Sequence, residues 1–277
     1  MTATSTLSDA AVDRLRSAVE ALMPGVRADL EALVRIPSVS AAAFDQSTLV
    51  TSAEKVAELL RDAGMPEVEI LRASRPNGTD GAPAVVARRP APQGAPTVLL
   101  YAHHDVQPPG DPADWTSPAF EPTERDGRLY GRGTADDKAG VMAHVAALRA
   151  LLPGWGPEDG VGVVVFVEGE EESGSPSFAD FLNRYRDRLQ ADVIVVADSD
   201  NWTVDTPSLT TSLRGLVEAD VEVRTLAHAV HSGMYGGVVP DAMMAMTTLL
   251  ARLWDESGDL AVPDLVSGEA AELEYPE

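Results

Sequence analysis

The sequence predicts an α/β fold, a largely parallel central sheet flanked by helices. Three observations carry this. Several short runs read as strands, and "TVLLYAHHD", "GVGVVVFVEG" and "ADVIVVAD" are almost wholly apolar, as strands covered on both faces are. Amphipathic or Ala/Val/Leu-rich runs with helical spacing lie between them. The two kinds alternate along the first two thirds of the chain, which is the pattern of a sheet layered with helices.

Taken in order, Asp9 to about Arg35 carries apolar residues at helical spacing (Val12, Leu15, Val19, Leu22, then Leu30, Leu33, Val34) and is expected to break near Pro24-Gly25. "RIPSVS" ends it, because Pro37 disfavours helix at the residue before it. Thr51 to Ala63 reads as a second helix, stopped by Gly64 and Pro66. "EVEILRA", "PAVVARR" and "TVLLYAHHD" follow as strands, then Lys138 to Leu152 as a helix. "GVGVVVFVEG" is a buried strand, Phe178 to Leu189 a helix and "ADVIVVAD" a further buried strand.

After about Ser212 the pattern changes. "GLVEADVEVRT" alternates apolar and polar, predicting a strand with one wet face. A Gly-rich turn, "HSGMYGGVVPD", and a helix from Ala242 to Trp254 come next, with Pro240 near the helix start. Residues 1–212 therefore read as one domain and 213–277 as the start of a smaller α+β domain. The tail "SGEAAELEYPE" offers no closing element, so the chain reads as truncated relative to its full fold.

The formal net charge of −23 over 277 residues argues against binding nucleic acid or an anionic membrane surface. No stretch is long and apolar enough for a membrane span, and the N-terminal stretch lacks a signal-peptide core, so the expected location is the cytoplasm. With no cysteine, disulfides and thiolate ligands are excluded, and a metal site has to be built from His, Asp and Glu.

Four polar clusters stand after strand-like runs or glycine-rich stretches, where open α/β sheets bind ligands. In "YAHHDVQP", strand alternation puts His103 and Asp105 on one face and His104 on the other, and a carboxylate beside an imidazole suits a metal-binding histidine as well as a plain strand end. In "LYGRGTADDKAG", Gly131 and Gly133 permit an irregular loop, and Asp136-Asp137 at the next helix start read, on this motif alone, as a helix cap ahead of ligands. "EGEEESGS" crowds Glu168, Glu170, Glu171 and Glu172 directly after a buried strand. Two neighbours there suit one metal-bound water, although charge runs are commonly solvated. Asp198 ends "ADVIVVAD", as an oxygen ligand or a turn former.

Together with "RIPSVS" and "HSGMYGGVVPDAM", these motifs in this order resemble the dinuclear-zinc metallopeptidases that include carnosine-type dipeptidases, aminoacylases and glutamate carboxypeptidases, on the dipeptidase branch. The resemblance implies a zinc-exopeptidase-like catalytic domain with an incomplete lid and dimerisation domain. It implies two divalent ions, zinc first, with manganese or cobalt as alternatives. His103, Asp136, Glu172 and Asp198 would be ligands, Asp136 bridging both ions through a cis Asp136-Asp137 peptide. Glu171 would be the general base acting on a water between the ions, and Asp105 would orient His103. His231 would reach the active site of the partner in a homodimer formed through the lid. The substrate implied is a dipeptide or small N-acyl amino acid. Nothing in the sequence matches the last metal-binding histidine and the substrate-carboxylate residues that the family draws from a later segment. The rival expectation is a non-catalytic truncated homologue. His104, His144 and His228 carry no predicted role, and His144 is expected on the polar side of its helix.

Overall fold

The computed structural model describes residues 8–156, 158–201, 203, 206–210, 213 and 215–265. The polar lead before Ser8 and the tail "SGEAAELEYPE" lie outside these residues, as does Ser212 at the expected domain boundary. Two compact units divide the chain, Met1–Asp200 and Asn201–Glu277.

The first unit holds a five-stranded mixed sheet. Its strands are β1 (Glu67–Leu71), β2 (Ala84–Arg89), β3 (Thr97–His103), β6 (Gly162–Glu168) and β7 (Val193–Val196), in the order β1-β2-β6-β3-β7. The β1–β2 and β2–β6 pairings are antiparallel, and β6–β3 and β3–β7 are parallel. A separate hairpin joins β4 (Thr123–Arg125) to β5 (Arg128–Tyr130) through Asp126 and Gly127, both at positive φ as a tight hairpin turn requires.

Helices cover both faces because β6 alternates its side chains between two cores. Val163, Val165 and Val167 pack with α1 (Asp9–Val34), α2 (Ser47–Asp62) and α3 (Lys138–Leu151). Val164 and Phe166 face α4 (Phe178–Arg184), where the Phe166 and Phe181 rings stack with centroids 5.0 Å apart. Each such side chain withdrawn from water contributes about 1.5–3 kcal/mol.

Several local expectations change. α1 runs unbroken through Pro24. Proline removes one helical N–H, and the carbonyl that loses it belongs to exposed Glu20, open to solvent. The helix expected over Phe178–Leu189 divides at Tyr185 into α4 and α5 (Arg186–Leu189). β7, expected to be buried, is exposed along its whole length, from 42% at Val195 to 64% at Ile194: among the described residues it pairs only with β3, and its side chains join neither hydrophobic core.

In the second unit, "GLVEADVEVRT" forms no strand. Alternation supplies a wet and a dry face but no hydrogen-bonding partner, and no described strand lies alongside. The described elements are α6 (Ser232–Tyr235) and α7 (Ala242–Ala251), whose first turn is capped by the Asp241 carboxylate accepting the Met244 N–H at 2.9 Å. α7 stops three residues short of the expected Trp254, whose backbone instead pairs with Leu260. Among the described residues no helix is long and apolar enough to cross a membrane.

Candidate metal centre

The parallel strands β3, β6 and β7 all end on one rim, and the four polar clusters converge there. His103 ends β3 opposite Glu168 at the end of β6, and Asp198 follows β7 by two residues. The expected alternation holds. His103 and Asp105 share a face, while His104 turns away and its Nε2 bonds the Pro83 carbonyl at 2.9 Å.

His103 is fully buried and is the hub of the cluster. Its Nδ1 lies 3.3 Å from Asp105 Oδ1. Its Nε2 faces three carboxylates: Asp136 Oδ1 at 3.1 Å, Glu171 Oε2 at 3.9 Å and Asp198 Oδ2 at 3.9 Å. Burial works against a charged ring, but the hydrogen bond and charge of Asp105, then Asp137 and Asp198, outweigh it and raise the imidazole to about 10. The pocket is thus built to favour positive charge.

Asp105 does more than face His103. Its two oxygens accept the backbone N–H groups of Glu171 at 3.2 Å and Glu172 at 3.1 Å. One buried carboxylate therefore ties the β3 loop to the turn after β6. Burial would raise its pKa, but hydrogen bonds from His103 and Ser40 hold it below the usual range. Ser40 lies in "RIPSVS", and Ser38 there donates to the His104 carbonyl at 2.7 Å, so that segment braces the site from outside the sheet.

Glu171 and Glu172 sit half-buried on the rim. Burial raises both carboxyls above their ordinary range, with neighbouring carboxylates adding to it. Gln107 donates to Glu172 Oε2 at 2.7 Å, a contact that "DVQP" gave no reason to expect. Glu168 and Glu170 are both buried, so this part of the run is not the solvated face that charge runs commonly form. The Tyr101 hydroxyl donates to Glu168 at 2.9 Å.

The Asp136-Asp137 peptide is cis, as the resemblance implies. Of the two local readings of Asp137, the cap does not hold, since its carboxylate makes no cap bond to α3. It is buried and accepts the His103 N–H at 2.9 Å, and burial pushes its carboxyl up to about 7. The close approach is possible because residue 140 is glycine: a Cβ there would overlap Asp137 Oδ1 and the Ala197 carbonyl oxygen. Two sets of donor atoms come within 4.8 Å of one another, His103 with Asp136 and Glu172, and His103 with Asp137 and Asp198. A donor set of one imidazole and several carboxylates without sulfur suits a hydrolytic divalent-metal site.

His231 lies in the second unit, exposed at the start of α6, where its Nδ1 accepts the Gly233 N–H at 3.1 Å. His144 departs from expectation. It is buried, with its Nε2 bonded to the Tyr101 carbonyl at 2.8 Å, because α3 packs that side against the sheet.

Comparison with known proteins gives this geometry a family. Residues 99–272 match peptidase family M20/M25/M40. The chain is 40% identical over 180 residues to the cysteinylglycine-S-conjugate dipeptidase of Corynebacterium striatum, covering 65% of this chain and 39% of that protein. It is 31% identical over 257 residues to the β-Ala-His dipeptidase of Mus musculus, covering 89% of this chain and 50% of that one. The crystal structure of human carnosine dipeptidase 1 superposes with a TM-score of 0.63 at 25% identity, over 91% of this chain and 54% of that one. The dipeptidase Dug1p of Saccharomyces cerevisiae shares the fold, with a TM-score of 0.66 at 21% identity and the same coverage of each chain. The chain thus spans about half or less of the length of the relatives it matches. The chain belongs to peptidase family M20/M25/M40, on its dipeptidase branch.

Proposed function

We propose that this chain carries the catalytic layer of a metal-dependent dipeptidase that hydrolyses the amide bond of dipeptides or small N-acyl amino acids. The observation that carries this reading is the convergence of Asp136, Glu171 and Asp198 within 3.1–3.9 Å of one buried imidazole nitrogen. Three segments distant in sequence bring their carboxylates to one ring. The relatives named for Cys-Gly conjugates and β-Ala-His point to the same class of substrate.

In this reading His103, Asp136, Glu172 and Asp198 hold two divalent ions, zinc first, and Asp137 supports them from below. Bound ions would supply Lewis acidity, polarising the scissile carbonyl and acidifying the attacking water. Asp105 takes the Nδ1 side of His103 and leaves Nε2 free as a donor. Glu171, its carboxyl raised by burial, accepts the proton of the attacking water and passes it to the leaving amine. His231 stabilises the oxyanion in the partner subunit of a homodimer. The cytoplasm is the proposed location.

The test is elemental analysis of the purified chain before and after zinc or manganese is added, with hydrolysis of Cys-Gly and β-Ala-His followed in parallel. About two ions per chain, an ion lost on Asp136→Ala, and metal-dependent turnover are expected. A chain that takes up no metal above background rules the reading out in favour of a non-catalytic homologue.

A further inference from the structure

We propose that Glu170 is a positioning residue whose buried carboxylate fixes the turn presenting Glu171 and Glu172 to His103. The inference rests on the roles proposed above for those two glutamates.

The run "EGEEESGS" divides its carboxylates by direction. Glu171 and Glu172 face the rim, whereas Glu170 is 2% exposed and points back into the protein. Both its oxygens are occupied. Oε2 accepts Arg75 Nε at 3.2 Å, Arg75 Nη2 at 3.0 Å and the Ala82 N–H at 2.9 Å, and Oε1 accepts the Ser177 N–H at 2.7 Å. Its own carbonyl accepts the N–H groups of Ser173 and Ser175 at 3.2 and 3.0 Å. A buried carboxylate is costly unless paired and hydrogen-bonded, and these donors, one of them a guanidinium, supply the compensation.

The placement matters more than the number of bonds. The residue that follows this anchor is the proposed base, and the next is a proposed ligand. Glu170 holds the short turn Glu171–Ser173 from the protein side, while Asp105 holds the Glu171 and Glu172 N–H groups from the metal side. Two carboxylates grip one turn from opposite sides, so the outward side chains keep a fixed heading.

The experiment compares wild type with Glu170→Gln and with Arg75→Met. The glutamine amide must face at least one of the surrounding N–H donors. Arg75→Met removes the guanidinium from a side chain that is 29% exposed while sparing the backbone bonds, and so remains informative if Glu170→Gln folds poorly. Two quantities are read: amide exchange at Glu171 and Glu172 relative to Val163–Val165 in metal-free protein, and manganese affinity by calorimetry. Exchange at the turn is expected to rise about tenfold over the core amides, and manganese affinity to fall about 10–100-fold. A lower melting temperature with turn exchange and manganese affinity both unchanged overturns the proposal. Should wild type bind no manganese, the proposed function fails, and the exchange comparison still decides whether Glu170 holds the turn.

Discussion

β6 and β7 are alike in composition and put to different use. "GVVVFVE" and "VIVV" are both valine-rich strands, both parallel to β3, and both lead into carboxylates of the candidate site. Yet every residue of β6 is buried and every residue of β7 is exposed. The difference lies in neighbours: β6 sits between β2 and β3 with its side chains in two cores, whereas among the described residues β7 pairs with β3 alone and its side chains join neither core. A run of apolar residues specifies a strand, but its rank within the sheet decides what the strand stabilises.

The largest expected effect contrasts the chemistry carried after β6 with the support beneath it. Glu171→Gln should lower kcat by about 10²–10⁴ with metal content unchanged. An equal loss of bound metal would show that Glu171 is a ligand and would break the assignment of the base. Next comes stability. Val165→Ala in β6 is expected to cost about 2 kcal/mol, two lost carbons plus a cavity, against within about 0.5 kcal/mol for Val195→Ala in β7. Urea titration of both variants checks this, and equal costs would mean that β7 is covered in solution.

The smallest effect concerns pH. Burial lowers the His144 pKa. Above the ordinary imidazole value both folded and unfolded forms are neutral and stability is flat. As pH falls through that value the unfolded chain binds a proton that the folded chain refuses, and stability declines until the lower folded value is reached. His144→Gln, which keeps a donor for the Tyr101 carbonyl, should soften the fall in melting temperature between pH 7 and pH 5. An unchanged slope would place the titration elsewhere.

These contrasts also show what was legible beforehand. The strand runs, the alternation separating His103 and Asp105 from His104, and the placing of polar clusters after apolar runs follow from local periodicity, and the structure has all three. Matters of partnership were not legible. Nothing in "ADVIVVAD" says how many strands will flank it, and nothing in "EGEEESGS" says that Arg75, almost a hundred positions earlier, will draw Glu170 inward. "GLVEADVEVRT" carries strand alternation and forms none. Asp137 was hidden for another reason: an aspartate at a helix start has an ordinary local explanation, and only the fold shows its carboxylate on the His103 N–H instead.

Gly140 sets a limit of a different kind. The first turn of α3 approaches the end of β7 so closely that an added methyl group would occupy the space of Asp137 Oδ1 and the Ala197 carbonyl oxygen. Asp137 and Asp198, two of the carboxylates around His103, stand on either side of that contact. Position 140 is therefore a point without a neutral neighbour in sequence space. Even alanine, the smallest step available and an improvement for almost any helix, would act as a wedge between α3 and β7. Selection for a stiffer α3 would run against the packing of α3 on the end of β7 and the spacing of the carboxylates beside it.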